Sequence, residues 1–132
     1  MVPKLKDKTD IAPNRVLIVE DDPAIRLVLA EAMREAAFRV IEARSGEDAV
    51  NYLKAGEHVD LIFSDIQMPG AIDGLQLAHH VRAAYPAIPV ILTSGDIKPA
   101  GLGDTETFIA KPYKIDKVLA LVAQILQGPH AS

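Results

Sequence analysis

Four short stretches carry side chains able to do chemistry together. They are Glu20-Asp21-Asp22, Asp65, Thr93-Ser94 and Lys111-Pro112. Each follows a short apolar run, so a carboxylate, a hydroxyl or an ammonium stands where a buried segment stops. Several carboxylates brought close repel one another, and a bound divalent cation relieves that repulsion. Oxygen-only ligands suit Mg²⁺ or Mn²⁺ and not zinc. A carboxylate beside such a cation can act as a nucleophile toward a phosphoryl group. The cation and a lysine would then neutralise the phosphoryl oxygens, and a serine hydroxyl would hydrogen-bond the product. Each stretch also has an ordinary reading. Glu20-Asp21-Asp22 can be a solvated turn plus a helix cap, Asp65 a turn former, and Lys111 a surface lysine. Their joint placement at strand ends favours a functional site.

The elements that must position these residues follow from periodicity. Val16–Val19 is a continuous aliphatic run, as in a parallel strand covered on both faces. Asp22-Pro23 reads as an N-cap and first helical residue, and Ile25, Val28, Leu29, Ala32 and Ala36 follow at helical spacing. Strands are expected at Phe38–Ile41, Val59–Ser64, Ile88–Thr93 and Thr107–Ala110. Ser45 starts a second helix, with Asp48 as a weak capping box and Gly56 as its stop. Asp73 caps a third helix through Leu77, Ala78 and Val81, ending before Pro86. Ile115, Val118, Leu119, Val122 and Leu126 mark a last helix stopped by Gly128-Pro129. Residues 95–106, GDIKPAGLGDTE, hold three glycines and a proline and leave little room for a helix. Strands alternating with helices predict a doubly wound α/β fold with a five-stranded parallel sheet. Ligands of such sheets sit beyond the strands' carboxyl ends, where the four stretches fall.

Composition narrows the function. The chain has 132 residues, 49% hydrophobic and 24% charged, with no cysteine and a net charge of −4. This excludes disulfide and thiolate chemistry and argues against nucleic acid as a direct ligand. Its apolar runs are strand-sized, and MVPKLKDKTD lacks the apolar block of a signal peptide, so a cytoplasmic protein without a membrane segment is expected. Residues 1–14 read as a flexible arm, 15–127 as the domain and 128–132 as a tail. His79 and His80, adjacent on a helix, point about 100° apart and are expected to face solvent; His58 falls in a turn.

The motifs VLIVEDD, SDIQMP, Asp73-Gly74, TSG and KP, in this order, resemble the receiver domain of two-component response regulators, from about Arg15 to Leu126. The resemblance implies a flavodoxin-like sheet of strand order 2-1-3-4-5. It implies Asp65 as phosphoryl acceptor, with Asp21 and Asp65 as Mg²⁺ ligands, Glu20 through water and the Gln67 backbone carbonyl as a further contact. It makes Ser94 the switch hydroxyl and Phe108 the switch aromatic. Lys111 would pair with the phosphoryl group and precede a cis bond to Pro112. Gln67 and Asp96 sit where family members tune hydrolysis. The implied donor is a histidine kinase or a histidine phosphotransferase. The TSG and KPY segments are similar to alphaproteobacterial and hybrid-kinase receivers.

This sequence departs from the pattern in three places. MPGAIDG is one residue longer than the commoner MPxxDG. Only 12 residues separate Gly95 from Phe108, so the family's fourth helix is expected to be shortened or missing. Ala37 stands at a helix end where glycine is common; a left-handed backbone there would cost about 1 kcal/mol.

The expected role is a phosphorylation-controlled module that docks a partner or relays phosphoryl, stand-alone because no output domain follows Ser132, and a monomer or weak dimer. A module excised from a hybrid kinase is an alternative. A phosphohydrolase with an aspartate nucleophile needs an acid two residues on, where Gln67 stands and cannot serve. A flavodoxin-like cofactor binder would be repelled by Glu20-Asp21-Asp22, and an inactive scaffold would not need the full set.

Overall fold

The computed structural model describes residues 14–127. Of the arm expected at 1–14, residues 1–13 lie outside the described residues, as does the tail at 128–132. The elements run β1 (Arg15–Val19), α1 (Pro23–Glu35), β2 (Arg39–Ala43), α2 (Gly46–Lys54), β3 (Leu61–Asp65), α3 (Gly74–Ala84), β4 (Val90–Ser94), β5 (Glu106–Ala110) and α4 (Ile115–Gln127). The five strands are parallel in the order β2-β1-β3-β4-β5. This is the doubly wound arrangement expected.

The sheet's alternation sorts the core into two layers. Leu17, Val19, Ile62 and Leu92 pack with Ala49, Val50 and Leu53 of α2 and Leu77, Ala78 and Val81 of α3. Val16, Ile18, Leu61, Phe63 and Ile91 face the other way, onto Leu29, Ala30 and Met33 of α1 and Val118 and Val122 of α4. Apolar residues on both faces explain why these strands read as unbroken runs.

The caps are local and behave as expected. Asp22 accepts from the amides of Ala24 and Ile25. Asp73 and Gln76 form a reciprocal capping box. At α2 only half of the expected box forms. Ser45 Oγ accepts from the Asp48 amide, while the Asp48 carboxylate takes the Arg44 amide instead. Ala37 is left-handed at φ 73°. The amides of Phe38 and Ala37 bond the carbonyls of Met33 and Arg34, a complete Schellman turn made without glycine.

Three expectations need correction. Strand ends shift by one or two residues: β4 starts at Val90, because the Ile88 amide closes a turn onto Tyr85 and Pro89 has no N–H. Ile25 and Val28, expected to be core residues of α1, are 38% and 54% exposed. They lie on the turn of α1 nearest the strand ends and flank a groove instead of the sheet. His79 is exposed as expected, but His80 is half-buried, edge-on to Tyr85 at 6.0 Å. No helix joins β4 to β5. A loop spans residues 95–105, held at its start through Asp96, whose amide donates to Ser94 Oγ, and near its end, where buried Glu106 accepts from the Gly103 amide and from Arg82 at 3.1 Å.

Candidate functional site

The carboxyl ends of β1, β3, β4 and β5 lie on one rim and bring the predicted residues together. Glu20 and Asp65 are buried and Asp21 is exposed. One carboxylate oxygen from each of the three falls within 4.8 Å of the others. Asp65 ends β3 paired with Thr93 of β4. Its Oδ2 accepts from Lys111 Nζ at 3.1 Å. Its Oδ1 is buried and has no hydrogen-bond partner among the described residues. A buried anionic oxygen without a partner is costly. With three carboxylates converging, an oxygen-loving divalent cation fits this donor set.

The electrostatics follow from this crowding. Burial, with the charges of Asp65 and Asp21, pushes the Glu20 carboxyl up, against the pull of the Asp22 amide and Lys111. Burial first, then the charges of Glu20 and Asp65, raise Tyr113 to about 12. The phenol therefore stays neutral beside the cluster at any physiological pH.

Ser94 is close by but otherwise engaged. Its hydroxyl bonds Gln67 Oε1 at 2.9 Å and accepts from the Asp96 amide at 2.9 Å. The Gln67 amide closes the ring onto Asp96 Oδ2 at 2.7 Å. Phe108, the expected switch aromatic, is half-buried against the α2–α3 core layer. Lys111-Pro112 is a cis bond.

Two contributors had no sequence signal. Arg26 of α1 donates from Nη1 to the Glu20 carbonyl at 2.9 Å and from Nε to Glu42 at 3.1 Å, tying the acidic turn to β2. Glu47 of α2 holds the loop after Asp65. A third, Gly74, has a visible reason. A Cβ there would overlap the Asp65 carbonyl oxygen and stand 2.7 Å from Ile66 Cα. Gly74→Ala is expected to destabilise the chain by about 1–3 kcal/mol through backbone displacement and to weaken Mg²⁺ binding as Asp65 shifts. Denaturant unfolding beside calorimetric titration checks both.

A parallel sheet with an acidic cluster and a lysine at its carboxyl rim defines a doubly wound α/β domain with a candidate cation site. Residues 16–123 match the family described as the response regulator receiver domain. The chain belongs to that family. It is 30% identical over 131 residues to the sensor kinase CckA of Brucella abortus, covering 94% of this chain and 14% of that protein. It is 37% identical over 117 residues to the response regulator GtcR of Aneurinibacillus migulanus, covering 83% of this chain and 47% of that protein. The chain thus spans less than half of these curated relatives. Among solved structures, it is similar to the receiver domain of the hybrid histidine kinase CckA (TM-score 0.75, 36% identity, 86% of this chain and all of that one). It is also similar to the response regulator TrrA of Thermotoga maritima, solved with Mg²⁺ and BeF (TM-score 0.75, 29% identity, 85% of this chain and 98% of that one). Receivers are the phosphorylation-controlled modules of two-component signalling, and that is this chain's function. Among the described residues, no helix is long and apolar enough to cross a membrane.

Proposed function

We propose that Asp65 accepts a phosphoryl group from phosphohistidine on a histidine kinase or histidine phosphotransferase. The observation that carries this is the Asp65 carboxylate itself, with one oxygen on Lys111 and the other buried without a partner among the described residues. A carboxylate oxygen forms the new P–O bond as the P–N bond breaks, and the imidazole leaves with the electron pair. Asp21, Asp65 and the Gln67 carbonyl would hold Mg²⁺, with Glu20 reaching it through water. The ion, when bound, supplies charge neutralisation for the transferring oxygens. Lys111 shares that task. Gln67 is no acid and cannot protonate an ester's leaving group, so the chain turns over no external ester; it hydrolyses only its own acyl phosphate, at a rate that Gln67 and Asp96 tune. An open apolar groove of about 650 Å³, lined by Ile25, Val28, Pro112, Tyr113 and Ile115, borders Lys111 and suits a partner helix presenting the histidine. The domain spans 15–127 and works in the cytoplasm as a monomer or weak dimer, docking a downstream partner or relaying phosphoryl.

The switch begins at the Ser94 ring. The acyl phosphate draws the Ser94 hydroxyl and Lys111 inward, so Gln67 and Asp96 lose their shared partner. Phe108 follows the vacated space. With no helix between β4 and β5, the response is a reordering of residues 95–102, while Gly103 stays tied to Glu106. Amide hydrogen exchange with and without Mg²⁺ and beryllofluoride tests this. The Asp96 amide, which donates to Ser94 Oγ, and the neighbouring loop amides should change protection; those of 103–106 should not. Unchanged protection at Asp96 would defeat the switch.

A further inference from the structure

The loop MPGAIDG is one residue longer than the family's common spacing, and nothing in the acceptor chemistry accounts for the addition. Its two ends are well held. Met68 is buried, and the Gly74 amide bonds the Ile66 carbonyl at 2.9 Å. Between them, Pro69, Gly70 and Ala71 are exposed. Among the described residues, one side-chain hydrogen bond reaches these three: Glu47 Oε2 accepts from the Ala71 amide at 2.9 Å.

Three further features show that this contact is built. Gly70 is left-handed at φ +104°, and a Cβ there would stand 2.9 and 3.1 Å from the two Glu47 oxygens. Glycine therefore lets the carboxylate close onto the loop. Gly46, which opens α2, lies so near Ile72 that a Cβ would stand 2.6 Å from its Cγ2. The backbone of Gly46 thus packs directly against Ile72 of the loop. The Ala71 amide also holds the Glu47 carboxyl below its ordinary range.

We propose that Glu47 is a positioning residue of the acceptor site. Its carboxylate clasps the lengthened loop and so fixes the backbone between Asp65 and α3, including the Gln67 carbonyl. This rests on the reading that the Gln67 carbonyl contacts Mg²⁺. Glu47 touches neither the metal nor the phosphoryl group and acts through the loop alone.

Calorimetric titration of the full chain with Mg²⁺ tests the assignment, beside the rate of phosphorylation by phosphoramidate. Glu47→Ala should weaken Mg²⁺ binding about tenfold, the size of effect seen when an outer-shell partner is lost. At saturating Mg²⁺ its phosphorylation rate should return to the parental value. Glu47→Gln keeps an acceptor for the Ala71 amide and should bind Mg²⁺ like the parent. Should Glu47→Ala not fold, Glu47→Asp, one methylene short of the loop, carries the same expectation. A loss of thermal stability with parental Mg²⁺ affinity would make Glu47 a structural residue only and overturn the inference. Failure of the parent chain to bind Mg²⁺ would overturn the proposed function, and this inference with it.

Discussion

Asp65→Asn takes up no phosphoryl group from phosphoramidate and Mg²⁺, whereas the parent gains one, as read by intact mass. The carboxamide is neutral and its oxygen a poor nucleophile, so the P–O bond has nothing to form on. The substitution is nearly isosteric and removes one of three crowded carboxylates. The Coulombic part of the Glu20 shift that comes from Asp65 disappears with it. The variant loses the ion pair with Lys111 but keeps an acceptor for its ammonium and relieves the crowding at Glu20, so it is expected to fold near parental stability, and loss of acceptance is not loss of structure. Uptake that persisted in Asp65→Asn would move the acceptor to Glu20 or Asp21 and sink the assignment.

Lys111→Met has the second large effect, and its parts have opposite signs. Lys111 Nζ is the only cation bonded to Asp65 among the described residues, at 3.1 Å. Methionine keeps the stem's bulk but leaves Asp65 Oδ2 without a donor. Leaving a buried carboxylate unpaired costs several kcal/mol, discounted here because Lys111 is 30% exposed, so a loss of about 1–3 kcal/mol without metal is expected. Lys111 also holds the Glu20 carboxyl down, so its removal lets Glu20 rise further. An acid raised in the fold stabilises below its unfolded pKa, and that contribution is lost as pH rises through the folded value. The variant's deficit should therefore narrow as pH falls. Mg²⁺ should bind more tightly, by about tenfold, since a positive charge that repels it is gone. Denaturant unfolding across pH and calorimetry measure the two halves. Equal Mg²⁺ affinity in variant and parent would mean that the ammonium is not felt at the cation.

The fold was readable where neighbours in sequence decide it. Asp22, Ser45 and Asp73 cap their helices through bonds two or three residues away, and Ala37 closes α1 as that position required. The loop at residues 95–105 was readable because its glycines and proline cannot sustain a helix. Val16–Val19 announced a strand covered on both faces, and it is. The misreadings share a cause. Ile25 and Val28 have the spacing of core residues, but helical periodicity says nothing of where a sheet stops, and their turn of α1 lies beside a groove. His80 shows the same blindness, since its burial depends on Tyr85 beyond the helix end.

The site divides along the same line. Residue types and their places at strand ends put Glu20-Asp21-Asp22, Asp65, Thr93-Ser94 and Lys111 on one rim, because alternation of strand and helix dictates a parallel sheet whose carboxyl ends lie together. The choice of Ser94 over Thr93 rests on the family resemblance. Tertiary structure alone decided which atoms meet. The Ser94–Gln67 bond joins residues 27 apart, Lys111–Asp65 residues 46 apart, and Glu47–Ala71 residues 24 apart. Such pairs leave no periodic trace. Burial and chain packing select them, and a carboxylate one helix away enters a site only when the loop between has been folded against it.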